Sequence, residues 1–414
     1  MLEIRPYLLD GALRSRELLA ASGVTRETLA NAYRRESRQV LRFGQARATC
    51  YAARQNLPGL DTDEFPIFRV DGRGDIRRNG QLVTLVATES VWLPEPTVVD
   101  GLPPEMHDAA PKGFLGRSYA RHHADLGIPD DVTKWSDNHI LVALSRRGED
   151  LPGNLIIGRE SFDRFQQLRH EAHTENDYPR LSRDAMAGEH VGSSAGGEQP
   201  KFTAYVDGQH RIVKFATDAT DNARRWQDLL ALEHVALQTL RDAGIDAATT
   251  ELLDIDGLRC LIVDRFDRIG EFGRRAVMTL AAASGNVSGS WADSAEEMHR
   301  QGELSDAGLH RVALLDAFGA QIANGDRHQN NVSLFPTQTG YDVAPAFDQL
   351  PMSYAPPASG NFRNEAIRQP HAAVNTLDVW DEARGYASEF WRRASGLQLS
   401  DSMQAIVKVH AGRG

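Results

Sequence analysis

The sequence holds only two cysteines, Cys50 and Cys260, far apart and in no C-x-x-C or Cys/His spacing. That scarcity excludes a disulfide framework and a structural zinc site, and it fits a reducing compartment. Long apolar runs are missing as well, since nothing approaches the roughly 18 residues that a membrane-crossing helix needs. The opening MLEIRPYLLDGAL is broken by Glu3, Arg5 and Asp10 where a secretory signal would stay apolar. No internal repeat or low-complexity tract occurs. These absences predict a cytoplasmic chain with no membrane partner. What remains is ordinary for a globular protein, with 41% hydrophobic and 25% charged residues over 414 positions, room for about two to four domains.

The charge is uneven. Between Gly11 and Asn56 there are nine arginines against three glutamates, a local balance of +6 in a chain of net charge −11, so the rest carries −17. Within that basic stretch SRELLAASG predicts a short helix ending at Gly23, and TRETLANAYRRES a second one capped by Thr25. VLRFGQARATCYAAR then alternates around Gly44 like a β-hairpin. Helix, turn, helix and basic hairpin make a winged helix-turn-helix reading with DNA as its partner. Arg26, Arg34, Arg35 and Arg38 would meet phosphates or base edges, and Arg42 and Arg47 of the wing the neighbouring groove or backbone.

QNLPGLDTDEFP (55–66) reads as a linker. After it the period falls to two, with Asp71-Gly72 and Asn79-Gly80 as hairpin signals for a small antiparallel sheet. A helix is expected over GRSYARHHADLG. His122, His123 and His139 lack ligand spacing, so no metal site is expected there.

Two stretches carry chemistry. In SSAGGEQPKFTAYVDGQHRIVKFA, Ser193, Ser194, Gly196 and Gly197 form a small-residue loop whose backbone amides can approach phosphate oxygens, although it fits neither the P-loop nor the dinucleotide pattern. Two strands joined by Asp207-Gly208 follow, and a lysine inside the second, Lys214, needs an anionic partner if buried. Glu233, on the helix WQDLLALEHVALQTLRDAG, is the expected partner, in the arrangement by which a strand lysine touches nucleotide phosphates. In NGDRHQNNVSLF, Asp326 and Asn331 have the spacing of a kinase catalytic aspartate and its magnesium-binding asparagine. Asp348 closes the later apolar run of YDVAPAFDQLP, where a carboxylate would hold the metal. Phosphoryl transfer needs little more than hard-oxygen Mg²⁺ ligands and one carboxylate aimed at an acceptor hydroxyl.

SSAGGEQPKF, RFDR (265–268), NGDRHQNN and FDQLP (347–351) together resemble the motifs of HipA-type serine/threonine kinases of toxin-antitoxin systems, over roughly residues 65–400. The basic module ahead of them is similar to the YjjJ-like branch. The resemblance implies an α+β, protein-kinase-like bilobal fold with an N-terminal winged helix-turn-helix, and ATP and Mg²⁺ as cofactors. It implies Asp326 as catalytic base, Asn331 and Asp348 as metal ligands and Lys214, paired with Glu233, on the phosphates. Gly196, Gly197, Glu198, Gln199 and Lys201 would form the nucleotide loop, Asp264, Arg265 and Phe266 the adenine-side hinge, with His328 and Phe347 beside the nucleotide. A serine of the phosphate loop, Ser194 or the adjacent Ser193, would be autophosphorylated. The implied partners are a protein acceptor, such as an aminoacyl-tRNA synthetase or another translation protein, and an antitoxin. Pro200 and Glu198 depart from the pattern and imply a stiffer loop or weaker nucleotide affinity.

The expected divisions are 1–56, the winged helix-turn-helix; 57–165, a β-rich subdomain; 166–266, the ATP-binding lobe; and 267–414, a mainly helical lobe. Two other readings fit the same residues: a small-molecule phosphotransferase, and a DNA-binding regulator whose kinase fold only senses nucleotide.

Overall fold

The computed structural model describes residues 2–94, 96–187, 199–357 and 363–413. The chain divides into two compact units, one of residues 1–70, 75–111 and 119–168, the other of 71–74, 112–118 and 169–414.

In the first unit, helix Ser15–Ser22 stops at Gly23, whose φ of 65° is the left-handed conformation that a side chain resists. The Thr25 hydroxyl then accepts from the Thr28 N–H at 3.2 Å and starts helix Arg26–Glu36. Strands Val40–Phe43 and Cys50–Ala53 form the expected hairpin, and Leu13–Arg14 adds a third strand against the second. One set of hairpin side chains, Val40, Tyr51 and Ala53, packs on Leu18, Leu29 and Ala32 of the helices. Leu41, Phe43 and Ala52 instead pack on Val83, Leu85 and Val91 of the following sheet. The arginines of this stretch therefore face outward: Arg26, Arg34 and Arg35 of the second helix, Arg38 just after it, and Arg42 and Arg47 of the hairpin are exposed.

The stretch expected as a linker is instead tied down. Gln55 N–H donates to Thr84 O at 3.1 Å, Leu60 is buried, and Glu64 already opens a strand. The sheet beyond it is antiparallel, in the order Thr97–Asp100, Glu89–Leu93, Ile76–Thr84, Glu64–Val70, Leu155–Ile157. Asp71-Gly72 lies in a turn, but Asn79-Gly80 lies inside a strand. Pro66 faces Gln81 and Phe68 faces Arg78, so Ile67 opposes two residues, and the Asn-Gly pair makes a β-bulge. Gly80 is required there because its φ is +110° and a Cβ would lie 1.9 Å from Leu93 O. Helix Gly113–His122 covers most of the expected helix. Among the described residues no group of three or more His, Cys, Asp or Glu side chains is placed to hold a metal ion. His139 serves a helix cap, accepting from Ser136 N–H at 3.1 Å.

The second unit is built on a five-stranded sheet in the order Thr250–Ile255, Leu258–Asp264, Gln209–Thr217, Lys201–Val206, Ala172–His173. Asp207 and Gly208, both with positive φ, make the two-residue turn between the Lys201 and Gln209 strands. Helix Asp221–Asp242 lies on this sheet and buries Trp226, Leu229, Leu230, Val235 and Leu240. Helices Trp291–Arg300, Asp306–Gln321, Trp380–Ala394 and Asp401–Ala411 complete that core around Trp291, Phe318, Phe390 and Trp391. A small sheet takes one strand, Met278–Thr279, from before the Asp326 loop and two, Ser333–Pro336 and Tyr341–Val343, from after it. Helices against a sheet on one side and a helical body on the other give a mixed α+β, kinase-like fold.

Candidate active site

Lys214 sits on the central strand Gln209–Thr217 and is only 7% exposed. Its ammonium is answered from two directions: Nζ donates to both carboxylate oxygens of Glu233, at 2.7 and 2.8 Å, and to Asp348 Oδ1. Burial alone would push the lysine down, but Asp348 and Glu233 outweigh it and hold the ammonium above its usual range. The two acids are not equivalent. Glu233, 1% exposed at the centre of its helix, is raised above the ordinary carboxylate range by desolvation in spite of Lys214. Asp348 keeps 27% of its side chain exposed. For Asp348, burial raises the carboxyl, while Lys214, Lys201 and His328 overcome that and bring it to about 2. Its backbone lies at φ 53°, a costly conformation for a residue with a side chain.

The Asp326 loop begins where helix Asp306–Gln321 ends. Asp326 is half exposed, with its Oδ2 3.9 Å from His328 Nε2. Residues on both sides of it are anchored. Before it, Asn324 is buried: its Oδ1 accepts from Asp326 N–H at 3.1 Å and its Nδ2 donates to Asp348 O at 3.2 Å. After it, Arg327 Nε donates to Asp316 Oδ1 at 2.9 Å, and Asp316 Oδ2 accepts from Ala292 N–H at 3.2 Å. The Trp291 indole donates to His328 O at 3.0 Å, and Gln329 Nε2 donates to Gly289 O and Ser290 O at 3.1 and 2.9 Å. Asn331 Nδ2 donates to Asp326 O at 2.8 Å, which leaves the amide carbonyl as a hard-oxygen donor. With the Asp348 carboxylate it supplies the ligand chemistry Mg²⁺ prefers, a few oxygens beside phosphate and water.

Phe266, Phe335 and Phe347 cluster with centroids 5.9 and 5.8 Å apart across Phe266, and the Arg275 guanidinium lies 3.3 Å from the Phe335 centroid. Asp264 ends the strand Leu258–Asp264, with Oδ1 3.5 Å from Arg211 Nε. Arg265 grips Asp267 through two bonds of 2.9 and 2.8 Å. Lys201 pairs with Lys214 across the strands, and Gln199 Nε2 donates to Phe215 O, so residues 199–201 run along the lysine strand. Ser193, Ser194, Gly196, Gly197 and Glu198 lie outside the described residues.

The structure thus unites Lys214, Glu233 and Asp348 directly, and joins Asp326 and Asn331 to them through the loop. Sequence reasoning missed Asn324, Asp316, Arg327, Asp267 and Phe335. Four of them had a signal, Asn324, Arg327 and Phe335 by their places in NGDRHQNNVSLF and Asp267 by its place in RFDR; Asp316 acts from a helix whose sequence marks it merely as one polar residue in an apolar run.

Residues 61–166 match the family described as YjjJ-like toxin, middle domain, and residues 193–411 that described as HipA-like C-terminal domain. The chain is similar to Toxin YjjJ of Escherichia coli strain K12, at 34% identity over 434 residues, covering 99% of this chain and 96% of that protein. A solved chain of the Shewanella oneidensis MR-1 toxin–antitoxin complex of HipA, HipB and operator DNA has a TM-score of 0.53 at 15% identity. That match covers 84% of this chain and 95% of the other, a likeness of fold.

Proposed function

The chain belongs to the HipA-like toxin family, in its YjjJ-like branch, and on that premise we propose that it is an ATP- and Mg²⁺-dependent serine/threonine protein kinase. The observation that carries the proposal is the Lys214 ammonium held between Glu233 and Asp348. A buried lysine so placed is costly unless its charge has work to do, and a phosphate oxygen is a third anion it can serve.

Lys214, fixed by Glu233, binds the nucleotide phosphates, with Lys201 beside it. Asn331 and Asp348 would hold Mg²⁺, which when bound neutralises charge on the transferred phosphoryl group. Asp326 accepts the proton of the acceptor hydroxyl as its oxygen attacks phosphorus. The phenylalanine cluster receives the adenine side, with Asp264, Arg265 and His328 as its polar neighbours. In this reading Ser194 or Ser193 is the chain's own acceptor, a translation protein is the external one, and an antitoxin is a further partner. The exposed arginines of 26–47 bind a DNA duplex.

The test is the mass of the peptide spanning 193–201 after incubation of the full chain with ATP and Mg²⁺. One added phosphate in wild type and none in Asp326→Asn supports the proposal. Phosphate appearing only on small hydroxyl compounds points instead to a small-molecule phosphotransferase, and duplex binding without any transfer to a nucleotide-sensing regulator.

A further inference from the structure

We propose that Asn324 is a positioning residue for phosphoryl transfer, one buried amide whose two ends fix Asp326, which takes the acceptor proton, relative to Asp348, which holds the metal. The inference rests on the kinase reading above, and it concerns a residue to which neither the motif spacing nor the resemblance gives a role.

The geometry is directional. Asn324 Oδ1 accepts from the Asp326 N–H at 3.1 Å while Nδ2 donates to the Asp348 carbonyl at 3.2 Å. The opposite amide orientation would set NH₂ against N–H and oxygen against oxygen, so the assignment of the two ends is fixed by the partners. Asn324 is 1% exposed, and its own backbone is held too: its N–H donates to Gly319 O at 2.8 Å and its carbonyl accepts from Arg327. It therefore has no room to follow a moving Asp348. The two loops are also stitched a second time, by Ser353 N–H to Ala323 O at 3.0 Å, and Gly325 passes so close that a Cβ would lie 2.9 Å from Ser353 Oγ.

Asp348 needs such a restraint. Its positive φ is a conformation that relaxes unless the surroundings hold it, and a bond to its carbonyl fixes the peptide plane from which the carboxylate projects. Among side chains of this size, asparagine alone carries its donor and its acceptor on two separate atoms. Aspartate keeps the acceptor and loses the donor, and it brings a carboxylate against the Asp348 carbonyl. Serine is too short to span both loops.

Asn324→Asp and Asn324→Ser are compared with wild type as full chains, by steady-state phosphoryl transfer from ATP across a Mg²⁺ titration and by thermal unfolding. The expected result is a kcat lower by roughly 10- to 100-fold and a half-saturating Mg²⁺ concentration higher by about tenfold. KM for ATP at saturating Mg²⁺ should stay within about threefold, because Lys214 and the phenylalanine cluster are untouched. If Asn324→Asp does not fold, Asn324→Ser decides. A kcat within about twofold of wild type with unchanged Mg²⁺ dependence overturns the proposal, and so does loss of the folded state in both variants, which makes Asn324 a residue of the fold alone. Absence of transfer by wild type itself overturns the kinase reading and not this inference. In that case the Mg²⁺ dependence of MANT-ATP fluorescence reads the tie without turnover: a dependence weakened in the variants supports it, and one unchanged overturns it.

Discussion

Lys214 is the residue on which the site's energetics turn, because three buried or half-buried charges meet at one nitrogen. Lys214→Met leaves Glu233 buried without its cation and should cost about 3–5 kcal/mol in urea unfolding while abolishing phosphoryl transfer. The double change Lys214→Met with Glu233→Leu should recover most of that stability and none of the activity, since an apolar pair can replace a buried ion pair but cannot bind phosphate. His410 gives a second prediction at this scale. It accepts or shares a proton with Tyr354 OH at 2.6 Å and stacks on Trp391 at 4.2 Å. Burial first, then Arg413, lowers its pKa to about 4. The depressed value means that its contribution is present above the unfolded pKa of about 6.5 and is lost as pH falls through 4. Asp348, lowered to about 2, loses its own contribution later, from about pH 4 downward. Melting temperature should therefore begin to fall between pH 6.5 and 4, and His410→Gln should flatten that first part of the curve; an unchanged slope would remove His410 from the account. The chemistry of these residues was legible unevenly. Lys214 and Glu233 were readable as a pair because a buried strand lysine needs an acid, and the structure joins them and adds Asp348; the roles of Asp326, Asn331 and Asp348 in transfer belong to the proposal. Asp316 was not readable, because a buried acid that serves an arginine and a backbone N–H far along the chain leaves no local pattern, and Asn324 had only its place in the NGDRHQNN motif, which gives it no role.

Elements decide what those residues can reach. Helix Asp306–Gln321 supplies Asp316, and one turn later Gly319 lies under the Arg327 stem, where a Cβ would come 2.7 Å from Arg327 Cδ. Gly319→Ala gains up to about 1 kcal/mol of helix propensity, yet it displaces Arg327 from Asp316. We expect a melting temperature within a few degrees of wild type and transfer activity reduced about tenfold or more; full activity would show that the Arg327 clamp does not position the loop. Gly80 is the contrary case, where the strain is purely structural. Gly80→Ala meets both a positive φ and the Leu93 carbonyl, so it should destabilise by more than about 2 kcal/mol in chemical unfolding. The Asn-Gly pair also shows why one expected turn failed. The dipeptide specifies a backbone that tolerates positive φ, and a bulge between long strands uses that tolerance as well as a hairpin does. The Asp207-Gly208 turn was legible because β-favouring runs, FTAYV and HRIVKF, lie on either side of it.

Across the whole molecule the charge is divided, with a +6 stretch between Gly11 and Asn56 in a chain of −11. The structure leaves Arg26, Arg34, Arg35, Arg38, Arg42 and Arg47 on exposed surfaces, which suits the proposed duplex contact. Arg34→Ala with Arg35→Ala should weaken DNA binding and reduce the slope of log affinity against log salt by about two if both meet phosphates; an unchanged slope would remove them from the interface. The helices and the hairpin of that stretch were readable from caps and alternation. Its packing against the neighbouring sheet through Leu41, Phe43 and Ala52 was not, because both faces of a short strand look alike when both are buried. No described helix is long and apolar enough to cross a membrane. Phosphoryl transfer by Lys214, Glu233, Asp326, Asn331 and Asp348 is decided with γ-labelled ATP and Mg²⁺ on the full chain. Wild type should place acid-stable label on serine or threonine hydroxyls of protein, and Asp326→Asn should fall by about 100-fold or more. Equal labelling by the two proteins would contradict the account.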